Sequence, residues 1–184
     1  MDDASAILRL KDGDLGGLEI LMEQYQVKAT RAAFLITHDE SIAQEVVQGT
    51  FIRICERIRQ FDESRPFEPY LIRSVVHAAL NAMRDSGKHT SLNNGSDEVE
   101  NLLDRAVSVE SQVESAQLQH EILAALTKLS PRQRAVIVQR YYLEMSEKEM
   151  SLTLDAAPGT VKWLLNAARS RLRQLLLQKG GSNE

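Results

Sequence analysis

SEKEMSLTLDAAPGTVKWLLNAARSRLRQLL, residues 146–176, contains two helical patterns joined by a short break. Ser146 stands three residues before Glu149, the spacing of a capping box, and Met145 and Met150 flank that start at the spacing of a hydrophobic staple. Met150, Leu152 and Leu154 belong to the short helix that follows. "DAAP" then turns the chain, and Pro158 suits the first position of a new helix. Ala157 becomes its N-cap without a side-chain acceptor, at about 1 kcal/mol relative to Ser. Val161, Leu165, Ala168, Leu172 and Leu176 form a buried stripe at helical spacing. Lys162, Trp163, Asn166, Ser170 and Arg173 lie opposite, with Arg169 and Arg171 on the flanks. From Ala156 to Ser182 there are five bases and no acid. A short capped helix, a tight turn and a longer helix with a basic outer face make helix-turn-helix grammar. A helical hairpin with a solvated charged face fits the same periodicity, which leaves both readings open here.

Upstream, Leu118, Ile122, Ala125, Leu126 and Leu129 predict another helix, and "SPRQR" supplies Ser130, Pro131 and Gln133 as a second capping box. The first half is helical in pattern from Ala4 to Arg84, broken by "KDGDLGG" and "THDES". Ile42, Val46, Val47, Phe51, Ile54, Cys55 and Ile58 form an amphipathic stripe, with Asp39 or Ser41 as its cap and Ser41–Gln44 at capping-box spacing. "FDESRPFEP" is a loop leading to a helix with Pro69 in its first turn and Ile72, Val75, Ala79 and Met83 on its buried face.

Between these halves the composition turns polar. From Ser91 to Glu114 six acids face one base, a net −5. This stretch is expected to be an exposed, flexible linker with at most a short helix near Val99–Val107. Fully extended, such a link spans on the order of 100 Å. The fold expected is therefore all-α. Two small helical domains, 1–88 and 117–180, flank an acidic linker over 89–116, and the second contains the helix-turn-helix.

The chain has 184 residues, 43% hydrophobic and 26% charged, with few Gly and Pro, which favours helix over sheet. A net charge of −4 argues against holding nucleic acid by bulk electrostatics but leaves room for a local basic face. No secretory signal or bilayer-length apolar run is visible, so a cytoplasmic location without membrane insertion is expected. Cys55, the single cysteine, is expected in the core. His38, His77, His89 and His120 lack metal-ligand spacing, and no phosphate-binding glycine loop is present, so neither an enzyme nor a metal or cofactor is expected.

The segment from "LSPRQRAVIVQRYYLEMSEKEM" to "GTVKWLLNAARSRLRQLL" resembles region 4 of sigma-70 family RNA polymerase sigma factors, of the small two-domain extracytoplasmic-function type. "AQEVVQGTFIRICERI" resembles the region 2.2 helix, "PFEPYLIRSVVHAALNAMR" regions 2.3 and 2.4, and "KDGDLGGLEILMEQY" the family's first helix. The resemblance implies an alternative sigma factor directing promoter-specific initiation. Glu45, Gln48, Phe51 and Arg53 would dock on the β′ clamp helices of core polymerase. Arg65, Arg73, His77, Asn81 and Arg84 would handle the −10 element. Pro158, Gly159, Thr160, Lys162, Trp163, Asn166, Arg169 and Arg173 would serve the −35 element, while the second domain binds the β flap. An anti-sigma factor is the further partner implied. Ala157 replaces the family's usual capping Ser, and Trp163–Leu164 a frequent Ser-Arg pair, so specificity is expected to depart from the family there. The alternative is a sigma-like regulatory protein that binds polymerase or another regulator without reading promoters.

Overall fold

The computed structural model describes residues 2–86 and 112–180, and every regular element among them is helical. The first domain comprises α1 (Asp3–Lys11), α2 (Gly16–Thr37), α3 (Glu40–Arg57), a 3-10 turn (Ile58–Gln60) and α4 (Phe67–Ser86). The second comprises α5 (Gln112–Thr127), α6 (Pro131–Ile137), a π-helical turn (Val138–Tyr142), α7 (Glu147–Leu154) and α8 (Pro158–Gly180).

Helix α2 is the centre of the first domain, with α1, α3 and α4 packed around it. Its Ala29, Ala32, Ala33 and Ile36 are fully buried, so neighbouring helices approach a nearly smooth face. Phe51 from α3 and Phe67, Leu71, Val75 and Val76 from α4 fill the space around it. Each large side chain so buried contributes about 1.5–3 kcal/mol. In the second domain α8 packs on α6, with α7 and α5 alongside. Val136, Met150, Val161, Leu165 and Ala168 form that interior.

Local signals set the helix starts. Ser130 and Ser146 each make the complete reciprocal capping box. Asp39, not Ser41, caps α3, accepting from the Ile42 N–H at 2.9 Å. Ser41 lies inside the helix, and Gln44 bonds Glu40 instead. Ala157 precedes α8 as the pattern predicts, and only its carbonyl enters the helix, accepting from Val161 N at 3.1 Å.

Some expectations shift. Helix α5 begins at Gln112, inside the stretch read as linker. Polarity signals exposure there, and Gln, Glu and Ala are nonetheless good helix formers. The proposed short helix at Val99–Val107 lies outside the described residues. Cys55 and Met83 are half-buried at the edges of their stripes, and Leu175 is buried more deeply than Leu172 or Leu176 near the end of α8.

The two domains are in contact. Helices α2 and α4 pack against α6, α4 also meets α7, and α2 meets the π turn. No helix among the described residues is long and apolar enough to cross a membrane.

Gly17 marks the tightest crossing in the first domain. A Cβ there would fall 2.2 Å from the Ala6 carbonyl oxygen and 2.9 Å from the Leu10 nitrogen, both backbone atoms of α1. Gly17→Ala gains up to about 1 kcal/mol in helix propensity but forces α1 away. A net loss of about 1–3 kcal/mol is expected, read as a lower urea midpoint.

Candidate nucleic-acid interface

Exposed basic character is concentrated on α8. Pro158, Gly159, Thr160, Lys162, Trp163, Asn166, Arg169 and Arg173 are all exposed, so the eight residues predicted for the −35 element share an accessible helix. Trp163 keeps 68% of its surface. The turn before α8 is held by Asp155 in the left-handed conformation, φ 48°, and by the Ser151 hydroxyl donating to the Ala156 carbonyl at 2.5 Å. Among the described residues, Arg169 alone of the eight has a side-chain hydrogen-bond partner: its Nε donates to the Tyr141 hydroxyl at 2.8 Å.

In the first domain the predicted residues separate into two grooves. Glu45 and Arg53 of α3 meet His77 and Asn81 of α4 along a shallow groove of about 570 Å³. Arg65 and Arg73 line a larger cleft of about 730 Å³, where α4 and its preceding loop face Glu149, Leu152 and Thr153 of the second domain. The loop is shaped by Phe61, whose ring meets Phe67 and Tyr70, and by Lys11, which donates to the Phe61 carbonyl at 2.8 Å and pairs with Glu63 at 2.6 Å. Arg65 is tethered to Asp62 at 3.2 Å. Arg84, near the end of α4, sits 3.5 Å from Asp85.

Two predicted residues are not free surface. Phe51 is 1% exposed, with its ring in the α2–α3–α4 core, and cannot touch a docked protein. An aromatic in an amphipathic stripe follows the stripe's apolar side, which leaves Glu45, Gln48 and Arg53 as the exposed set on α3. His77 is half-buried, with its Nε2 in contact with the Thr153 carbonyl oxygen of α7. The α4 face predicted to meet the −10 element is thus partly covered by the second domain.

Sequence models of known families match both halves of the chain. The Sigma-70 region 2 model covers residues 21–89 and the Sigma-70, region 4 model covers residues 119–172. The chain belongs to the sigma-70 family of RNA polymerase sigma factors, within the extracytoplasmic-function type. A curated relative, the ECF RNA polymerase sigma factor SigW of Bacillus subtilis, is 26% identical over 176 residues, covering 92% of this chain and 94% of the relative. Among solved structures, CnrH in complex with the cytosolic domain of CnrY shares the fold with a TM-score of 0.66 and 23% identity, over 95% of this chain and 96% of that one. The sigma factor RpoE in complex with the anti-sigma factor NepR from Bartonella quintana does so at 0.61 and 19%, over 86% and 96%.

In this sigma factor the seam between region 2 and region 4 contains groups the sequence did not flag. His38 follows α2 in the left-handed conformation, φ 56°, where its N–H closes on the Phe34 carbonyl at 2.7 Å. The Thr37 hydroxyl completes the turn by donating to the Asp39 carbonyl at 3.0 Å. The residue is half-buried, and its Nε2, which is itself buried, has no hydrogen-bond partner among the described residues. Arg134 of α6 is 5% exposed, and its Nε is likewise unpartnered. No carboxylate pairs with Arg134 among the described residues. Burial first, and the Arg134 charge second, hold the His38 pKa down at about 4. Burial likewise lowers that of Arg134. Tyr142, on the π turn, is raised by burial against the pull of Arg31, which hydrogen-bonds it, and of Lys28. Among the described residues no metal-binding group of His, Cys, Asp or Glu assembles.

A neutral imidazole packed against a cation gives a definite pH dependence. Above about pH 6.5 His38 is neutral whether the chain is folded or not. Below it the unfolded chain takes up a proton that the folded chain refuses until about pH 4. Stability should therefore fall across that window, by up to roughly tenfold in the folding constant per pH unit. His38→Asn tolerates the left-handed backbone and removes the titration. Urea unfolding between pH 7 and pH 5 should show a weaker pH slope in this variant than in wild type.

Proposed function

We propose that the chain is an alternative sigma factor that binds core RNA polymerase and directs initiation at a particular class of promoter. The observation that carries this reading is the presence of region 2 and region 4, in that order, on one chain. The region 2 unit (1–88) would dock through Glu45, Gln48 and Arg53 on the β′ clamp helices. It would engage the −10 element through Arg65, Arg73, His77, Asn81 and Arg84. The region 4 unit (117–180) would meet the β flap and lay α8 in the −35 major groove. There Lys162, Arg169 and Arg173 suit phosphates, and Asn166 suits a base edge. The acidic link over 89–116 suits a positively lined polymerase channel. The solved CnrH and RpoE structures pair a sigma factor with CnrY or NepR. An anti-sigma partner is proposed here on that likeness. No catalytic step belongs to the chain, which acts by positioning polymerase.

Transcription by core polymerase on genomic fragments tests the reading. Specific starts should appear on adding the protein and disappear in the Lys162→Ala, Asn166→Ala, Arg169→Ala triple variant. Polymerase binding without initiation would favour a sigma-like regulator that reads no promoter, a reading to which the covered His77 lends some support. Gln48→Ala with Glu45→Arg should weaken core polymerase binding by roughly tenfold while leaving the melting temperature unchanged.

Under this reading the domains must part, because the Thr153 carbonyl occupies His77 and α7 forms one wall of the cleft containing Arg65 and Arg73. Dyes placed by Glu56→Cys and Arg171→Cys in a Cys55→Ser background report the separation. Energy transfer should fall when core polymerase is added; unchanged transfer would mean that the packed arrangement persists in the complex.

A further inference from the structure

The π turn at Val138–Tyr142 presents two consecutive tyrosines to different neighbours. Tyr142 turns to Arg31 of α2, while Tyr141 stays exposed and meets Arg169 of α8. The wide turn is secured from both ends. Leu143 N closes on the Val138 carbonyl at 3.0 Å and Met145 N on the Gln139 carbonyl at 2.9 Å. The fully buried Gln139 donates to the Ala135 carbonyl at 3.2 Å, and the Arg140 guanidinium donates to the Met145 carbonyl at 3.0 Å. Glu144 follows in the left-handed conformation, φ 54°. The π turn closes α6, and such wide turns cost hydrogen-bond quality and tend to mark functional positions. The Tyr141 hydroxyl receives the Arg169 Nε–H at 2.8 Å, and the guanidinium carbon lies 5.6 Å from the centre of the Tyr141 ring. The Nε–H···phenol bond uses only the inner edge of the guanidinium. Its terminal nitrogens, the pair that grips a phosphate bidentately, make no other contact among the described residues.

We propose that Tyr141 is the positioning residue of Arg169, fixing its guanidinium through Nε and the ring face so that the terminal fork is presented to a DNA phosphate beside α8. The proposal rests on the reading of α8 as the DNA-contacting helix. Arg carries a large side-chain entropy, and ordering it before the encounter removes part of the cost of binding. Tyr141 itself takes no part in reading sequence, and its effect passes entirely through Arg169.

A phosphate contact is independent of sequence, so the test needs no promoter. Full-length protein is titrated into a fluorescein-labelled, mixed-sequence 20-base-pair duplex, followed by anisotropy over a range of low salt concentrations. Arg169→Ala should weaken binding and reduce the salt slope by about 0.9, the loss of one phosphate. Tyr141→Phe removes only the acceptor hydroxyl and should weaken binding by roughly two- to tenfold, with the slope kept. Tyr141→Ala, which also removes the ring, should weaken it further. In the double variant Tyr141→Phe, Arg169→Ala the tyrosine change should add nothing to the loss from Arg169→Ala. A purely structural role for Tyr141 would move the melting temperature and add to the Arg169→Ala loss, overturning the proposal. So would wild-type binding by both tyrosine variants while Arg169→Ala binds weakly. If Arg169→Ala changes neither affinity nor slope, the DNA-contacting reading of α8 fails at that position and the proposal fails with it.

Discussion

Helix α2 receives α1, α3 and α4 in the first domain, and α6 and the π turn from the second. Its small residues make this possible. Ala29, Ala32 and Ala33 bring neighbouring backbones close, and Gly17 admits the backbone of α1 where no side chain fits. Everything assigned a function is fixed by reference to this one helix. The α3 face is set by packing on α2, the α4 face by packing on both, and the region 4 unit by docking on the C-terminal half of α2. A change on α2 therefore propagates to every surface, whereas a change on the exposed face of α8 stays local.

The docking of region 4 on region 2 is chemically uneven. Apolar contacts favour it, yet among the described residues it buries a cation, Arg134, with no carboxylate, near an imidazole whose Nε2 is unpartnered. A buried charge without a partner costs several kcal/mol, so the seam is weaker than its area alone suggests. Such a seam suits the proposed function, in which the two halves would engage separate promoter elements. The groups that make it weak, His38 and Arg134, belong to the end of α2 and to α6, not to α8. Opening of the seam, as the proposed function requires, would leave Lys162, Asn166 and Arg173 undisturbed.

Most of the helical framework was legible in the sequence because its signals are local. Ser130 with Gln133 and Ser146 with Glu149 make reciprocal hydrogen bonds within one turn, and Val161–Leu165–Ala168 repeats within one helix. The accessible side of α8 was legible for the same reason. Phe51 was misassigned because its polymerase-binding role was carried over from the resemblance to the region 2.2 helix, while its own place in the apolar stripe already put it on the core side. The choice of Asp39 over Ser41 depended on where the left-handed turn at His38 ends, and one residue decides that. The start of α5 at Gln112 was missed because polar residues of good helix propensity read as linker when no apolar stripe accompanies them.

By itself the sequence determined the helices, their caps, their apolar faces and the segregation of base from acid along α8, since each arises from residues within a few turns of one another. Tertiary structure alone decided what stands opposite what. His38 has no sequence relation to Arg134, nor His77 to Thr153, nor Tyr141 to Arg169, and each pair depends on how separate helices dock. The tandem tyrosines show the difference most directly. The sequence places them side by side, and only the π turn, with α2 on one side and α8 on the other, gives one to the seam and the other to the exposed face of α8.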